Sequence, residues 1–252
     1  MCDGADVTRT AGLPESPTHP LQQVDGVPEC VLGDALAARL PGTSPPAPWR
    51  TRVEAVLWMH AASPGAAELL PPQLRDERIV PLTIGAFIRY LETPVGPYSE
   101  VLASPVLLAR TPLPASNVPF IAVDSIASLH GGRANWALPK ALAAFEWTAA
   151  PGELGRAAFA VRGEGSHASS TWSVAAEVSP RRRRLPVRLP LRDVQLAPGG
   201  RELDIPISLA GRAQFATVTV RSDGPSLPAW LRAGTHRGVV LPDARMTFGA
   251  PR

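Results

Sequence analysis

A chain of 252 residues, 45% hydrophobic and 19% charged, is long enough to bury one ordinary globular core with a short appendage. Its 29 prolines and 21 glycines cut it into short segments, which favours many short strands over long helices. The formal charge is +3, and much of the basic excess is one run, Arg181 to Arg184, without interleaved aromatics, so no nucleic-acid partner is expected.

Met1 to about Pro48 is rich in Pro, Gly, Ser and Asp, and only Val31 to Leu40 has a short helical pattern. It reads as a partly disordered N-terminal segment, residues 1–48, with little chemistry of its own, ahead of a single domain over residues 49–252. The two cysteines, Cys2 and Cys30, make neither a CxxC pair nor zinc-type spacing, so no disulfide framework is expected and a reducing cytoplasm is the simplest setting. The start has no basic-then-apolar stretch of signal-peptide type. The most apolar region, Val101 to Val123, is interrupted by Pro105, Arg110, Pro112, Pro114 and Pro119, so no membrane span is expected.

Val53 to Met59 predicts a strand, and Pro64 to Leu70 a short helix before Pro71. Leu82 to Leu91 and Tyr98 to Leu108 predict a hairpin across the turn chemistry of Thr93-Pro94-Val95-Gly96-Pro97. Phe120 to Val123 follows as a short strand. Ser125 to His130 predicts one or two helical turns closed by Gly131 and Gly132, with Lys140 in a loop after Pro139. Beyond it Ala144–Trp147, Arg156–Val161, Thr171–Val178, Leu203–Arg221 and Gly238–Phe248 alternate or run apolar between Gly and Pro punctuation. The expected fold is mainly β, an antiparallel barrel-like sheet with a few short helices.

Lys140 is the only lysine in the chain. Arginine serves as well at solvated or ion-paired positions, but it does not replace lysine as an imine-forming nucleophile. Such an amine must be neutral to attack, which desolvation or a nearby cation promotes. Trp136, Ala137, Leu138, Pro139, Ala141 and Leu142 supply apolar neighbours. Local composition alone leaves both a surface lysine and a desolvated amine open.

The stretch Gly131-Gly132-Arg133-Ala134-Asn135-Trp136-Ala137-Leu138-Pro139-Lys140-Ala141-Leu142 resembles the motif of the acetoacetate decarboxylase superfamily. There a Gly-Arg precedes an aromatic, a Pro-Lys pair and a leucine, and the lysine forms the Schiff base. Four further segments match in order. They are Arg52 with Leu70-Pro71-Pro72-Gln73-Leu74 downstream, Gly96-Pro97-Tyr98-Ser99-Glu100, the strand Phe120 to Asp124, and Gly238 to Ala244. The resemblance covers most of the chain after Trp49. It implies Lys140 and Glu100 as catalytic residues and Arg52 as a grip on a substrate carboxylate. It also implies a small keto acid as substrate, no metal or cofactor, and a homo-oligomer.

Two positions depart from the decarboxylases. Ala141 stands where they carry a second lysine, and Gly85 or Ala86 where they carry an acid. Aldol or dehydration chemistry on the same imine therefore stands beside decarboxylation, and a non-catalytic ligand-binding role stands beside both. His60, His130, His167 and His236 lack metal-ligand spacing, and no Gly-x-Ser-x-Gly elbow or phosphate loop occurs.

Overall fold

The computed structural model describes residues 19–149, 157–164 and 171–252, so Met1 to Thr18, Cys2 among them, as well as Arg156 and His167, lie outside the described residues. Its strands are β1 Trp49–Ala61, β2 Ile79–Val80, β3 Leu82–Glu92, β4 Tyr98–Ser104, β5 Leu107–Leu108, β6 Ala115–Ser116 and β7 Phe120–Val123. They continue with β8 Lys140–Trp147, β9 Ala157–Glu164, β10 Thr171–Pro180, β11 Leu185–Leu196, β12 Glu202–Asp223 and β13 Gly234–Phe248. The α-helices are α1 Asp34–Ala37, α2 Ile126–Trp136 and α3 Leu227–Trp230. None of them is long and apolar enough to cross a membrane.

All thirteen strands join one sheet in the order β10-β9-β8-β7-β4-β3-β1-β13-β12-β11-β6-β5-β2. Because β10 also pairs with β12, the circuit from β10 through β9, β8, β7, β4, β3, β1, β13 and β12 returns to its start, which is the expected barrel-like closure. Closure leaves those strands no free edge. The pairings are antiparallel except β7 with β8 and β6 with β11.

Alternation along the strands makes two apolar compartments. Val56, Trp58, Phe87, Val101, Ala122, Ala141, Phe159, Trp172, Val218 and Val240, drawn from every strand of the circuit, share one cluster that fills the ring. Residues of opposite parity, Val53, Ala55, Ile88, Tyr90, Tyr98 and Val123, form a second cluster with Leu129 of α2 and with Leu32 and Ala37 of the N-terminal segment. The outer wall of the ring is thus roofed by a helix and by part of the stretch ahead of Trp49. Val27 N donates to Pro119 O at 3.0 Å, and the Glu29 carboxylate accepts from Ser226 N, Ser226 Oγ and Leu227 N at 2.7, 2.7 and 3.1 Å.

Two local expectations differ from the structure. Helix α2 does not stop before Gly131 and Gly132 but runs through both, ending at Ala137 in the left-handed region with φ 50°. The glycines serve close approach: a Cβ on Gly131 would lie 2.5 Å from Trp49 Cη2. Strand β11 was hidden from the sequence pattern by Pro186 and Pro190. It pairs with β12 along its length and meets β6 only at Asp193, so both prolines sit where one side of the strand has no ladder to break. The Arg181 to Arg184 run just before it is exposed.

Asp193 is buried at this junction, where its carboxylate accepts from Ser116 Oγ at 2.6 Å and Gln195 Nε2 at 2.9 Å. Burial pushes its carboxyl up from 3.8 to about 6 against those hydrogen bonds. The folded chain therefore binds this proton more tightly than the unfolded one. The group is harmless below the unfolded value and destabilises as pH rises through the folded one, by about 3 kcal/mol at the upper end. Asp193→Asn should gain about 2–3 kcal/mol on the parent protein between roughly pH 4 and pH 8, followed by urea unfolding. A pH-independent difference would refute the linkage.

Candidate active site

Glu100 of β4 lies opposite Ile88 of β3 and Val123 of β7, and Ile121 of β7 lies opposite Lys140. Side chains two residues apart share a face. Glu100, Val123, Ile121 and Lys140 therefore all point to the outer wall, with Tyr90 and Tyr98 beside them. Lys140 opens β8 rather than sitting in a loop, because β7 and β8 are parallel and the crossover between them is α2. That helix lies across the face that carries the lysine.

The lysine stem runs against the helix backbone: a Cβ on Gly132 would come within 2.5 Å of Lys140 Cδ and 2.6 Å of Cε. The next residue, Arg133, donates from Nε to Lys140 O at 2.8 Å, from Nη1 to Leu21 O at 2.8 Å and from Nη2 to Cys30 O at 2.6 Å. Arg133 is 2% exposed, and burial brings its pKa down to about 10. It ties the N-terminal segment to the backbone of the lysine. Cys30, whose thiol burial pushes up to about 12, sits in the same seam with its Sγ 3.4 Å from Ile121 O.

The amine itself is held from two sides. Lys140 Nζ donates to Glu100 Oε2 at 2.7 Å and to Ser128 Oγ at 3.0 Å, and it lies 5.1 Å from the centroid of the Tyr98 ring. Glu100 Oε1 accepts from the Tyr90 hydroxyl at 3.1 Å. The Tyr90 and Tyr98 rings stack at 4.2 Å. Both phenols are pushed well above their ordinary pKa, first by burial and then by the Glu100 charge, so they stay neutral. Lys140 is 3% and Glu100 1% exposed. Such a pair can pass one proton from amine to carboxylate without creating net charge, which frees the nitrogen lone pair.

The structure brings Lys140 and Glu100 together and leaves Arg52 apart. Val53 pairs with Tyr90 and belongs to the outer cluster, and Arg52, one residue earlier, points to the other face. There its guanidinium grips Asp243 at 2.9 and 3.4 Å and lies 3.6 Å from Glu92, with the side chain 46% exposed. Alternation also places the residues of the two departures. Ala141 packs inside the ring, so a side chain there points away from the amine. A Cβ on Gly85 would meet the Trp58 indole at 2.2 Å, which leaves no room for a carboxylate in this packing. Ala86 is buried in the outer cluster.

Sequence reasoning did not single out Ser128 or Tyr90. Tyr98 was within reach, since it stands two residues before Glu100 on the same strand face. His60 is engaged by backbone, with Nε2 accepting from Arg232 N at 3.2 Å and Nδ1 2.9 Å from Ala61 O.

The sequence profile described as acetoacetate decarboxylase matches residues 36–197. Among solved structures, an acetoacetate decarboxylase aligns with a TM-score of 0.60 at 13% identity, covering 83% of this chain and 90% of that one. The acetoacetate decarboxylase of Legionella pneumophila aligns at 0.57 and 15%, covering 84% and 89%. The enduracididine biosynthesis enzyme MppR, complexed with the condensation product of pyruvate and imidazole 4-carboxaldehyde, aligns at 0.55 and 17%, covering 82% and 89%. No curated protein sequence matches. With the profile spanning more than half of its length and the fold shared, the chain belongs to the acetoacetate decarboxylase family.

Proposed function

We propose that the protein is a carbon–carbon lyase that works through a Schiff base on Lys140. The observation that carries this reading is the buried contact of Lys140 Nζ with Glu100 Oε2 at 2.7 Å. Glu100 takes a proton from the ammonium, and the freed amine attacks a carbonyl carbon. The same carboxyl returns the proton as water leaves, and the iminium then accepts the electron pair of a breaking bond. Tyr90 occupies Oε1 and so leaves Oε2 aimed at the nitrogen. Ser128 holds the amine from the other side.

The family resemblance makes a small keto acid the simplest substrate and decarboxylation the simplest outcome, without a cofactor, in a cytoplasmic homo-oligomer. Aldol or dehydration chemistry is the second reading, favoured by the placement of Arg52 on the other face, paired with Asp243. The MppR complex adds support, since its ligand is the product of a condensation between two carbonyl compounds.

Borohydride reduction in the presence of a panel of small ketones, aldehydes and keto acids tests the proposal. A reduced adduct is expected on Lys140, located by mass spectrometry, and none in Lys140→Arg. No adduct with any member of the panel would leave a ligand-binding role in place of the enzyme.

A further inference from the structure

Resting on the imine reading above, we infer that residues 31–42 are a lid, which lifts to admit the carbonyl compound to Lys140 and closes again for the reaction. The amine is shut in: Lys140, Glu100, Ser128, Tyr90 and Tyr98 are all buried, so a substrate reaches it only when part of the covering moves. Helix α2 and the stretch ahead of Trp49 both pack on this compartment. Helix α2 is pinned. Arg133 donates to the carbonyls of Lys140, Leu21 and Cys30, Asn135 Nδ2 donates to Pro45 O at 2.9 Å, and Trp136 Nε1 donates to Gly249 O at 2.8 Å. It also carries Ser128, so lifting it would take the site apart.

Residues 31–42 are held differently. Their flanks are fixed, Val27 N to Pro119 O at 3.0 Å and Cys30 O to Arg133 on one side, Pro45 O to Trp49 Nε1 at 3.0 Å and to Asn135 on the other. Between the flanks, Leu36 N and Ala37 N donate to Gly33 O and Ala38 N to Asp34 O, so α1 closes on itself. Gln22 Nε2, which donates to Leu32 O at 3.1 Å and Asp34 Oδ1 at 2.7 Å, belongs to the same N-terminal stretch. Among the described residues, no hydrogen bond or ion pair joins residues 31–42 to the sheet or to α2. The hold is apolar: Leu32 and Ala37 are buried, and Leu36 and Leu40 half-buried, in the cluster of Tyr90, Tyr98 and Leu129. Such a contact opens without leaving a polar group unpaired. Gly33 and Gly42 flank α1, and a Cβ on either would meet nothing within 4 Å. With φ of Gly33 at −72°, packing and backbone angle do not require glycine there. What it supplies is freedom at the edges of the piece that moves.

The test reads exposure of the amine without any imine. Because Lys140 is the only lysine, acetylation of the full chain by excess acetic anhydride, followed by mass spectrometry of the Lys140 peptide, gives the rate at which that amine is uncovered. In the parent protein this rate is expected to stay nearly flat in urea below the unfolding transition, as a local opening does. Leu32→Ala combined with Leu36→Ala should raise the flat rate by about tenfold. A rate that climbs with urea in parallel with global unfolding overturns the lid, and so does a flat rate that the double variant leaves unchanged. Should the double variant not fold, the urea dependence of the parent decides alone. Borohydride adducts on Lys140 report separately on the Schiff base, so either reading can fail while the other stands.

Discussion

Replacing Arg133 with methionine should destabilise the protein by about 3–5 kcal/mol, although among the described residues it pairs with no carboxylate. The guanidinium satisfies the carbonyls of Leu21, Cys30 and Lys140. Each buried acceptor left without a donor costs about 1–3 kcal/mol. Methionine fills the volume of the stem, and relief from burying a charge offsets part of the loss. The loss is expected in two places. Urea unfolding at neutral pH should give the lower global stability, and amide exchange should accelerate most in residues 20–40, which lose their tether to β8. A change below about 1 kcal/mol would mean that those carbonyls find other partners.

Gly132→Ala should have the opposite profile, with catalysis lost and the fold kept. The added methyl would stand 2.5 Å from Lys140 Cδ, so the stem has to move and the amine leaves the notch between Glu100 and Ser128. A displacement of about 1 Å is enough to lower a rate by about 100-fold. Alanine is favoured over glycine in a helix interior by about 1 kcal/mol, which offsets strain and keeps α2 in place. The rate of imine trapping and the unfolding midpoint measured on the same sample separate the two effects. An unchanged trapping rate would show that the close packing of stem on helix has no catalytic consequence.

How much of this was legible beforehand follows from what sequence patterns encode. The strands around the site announce themselves through β-branched runs and turn residues, and Lys140 stands out as the one lysine in an arginine-rich chain. Glu100 lies 40 residues away, and its partnership with Lys140 came from the order of motifs rather than from periodicity. Ser128 was invisible for a different reason. It looked like a residue near a helix start, and only the crossover from β7 to β8 turns it toward the amine. The Gly131-Gly132 pair reads as a helix stop because glycine most often ends helices through its positive φ, whereas here it admits Trp49 and the lysine stem. Arg52 was assigned by resemblance. The parity of β1, which depends on the irregular register between Arg52 and Val53, cannot be read without the neighbouring strand.

Consecutive residues Lys140 and Ala141 look into different compartments, so at β8 a single backbone thickness separates the Lys140 amine from the aromatic filling of the ring. The strand acts as a lever between the two. Trp172 packs edge-on to Phe120 of β7 at 5.2 Å, on the strand that pairs with β8 at Lys140, so changing its bulk is expected to shift the amine, because a close-packed interior transmits displacement instead of absorbing it. Substitutions remote from Glu100 and Ser128 therefore belong in any attempt to alter what the lysine accepts.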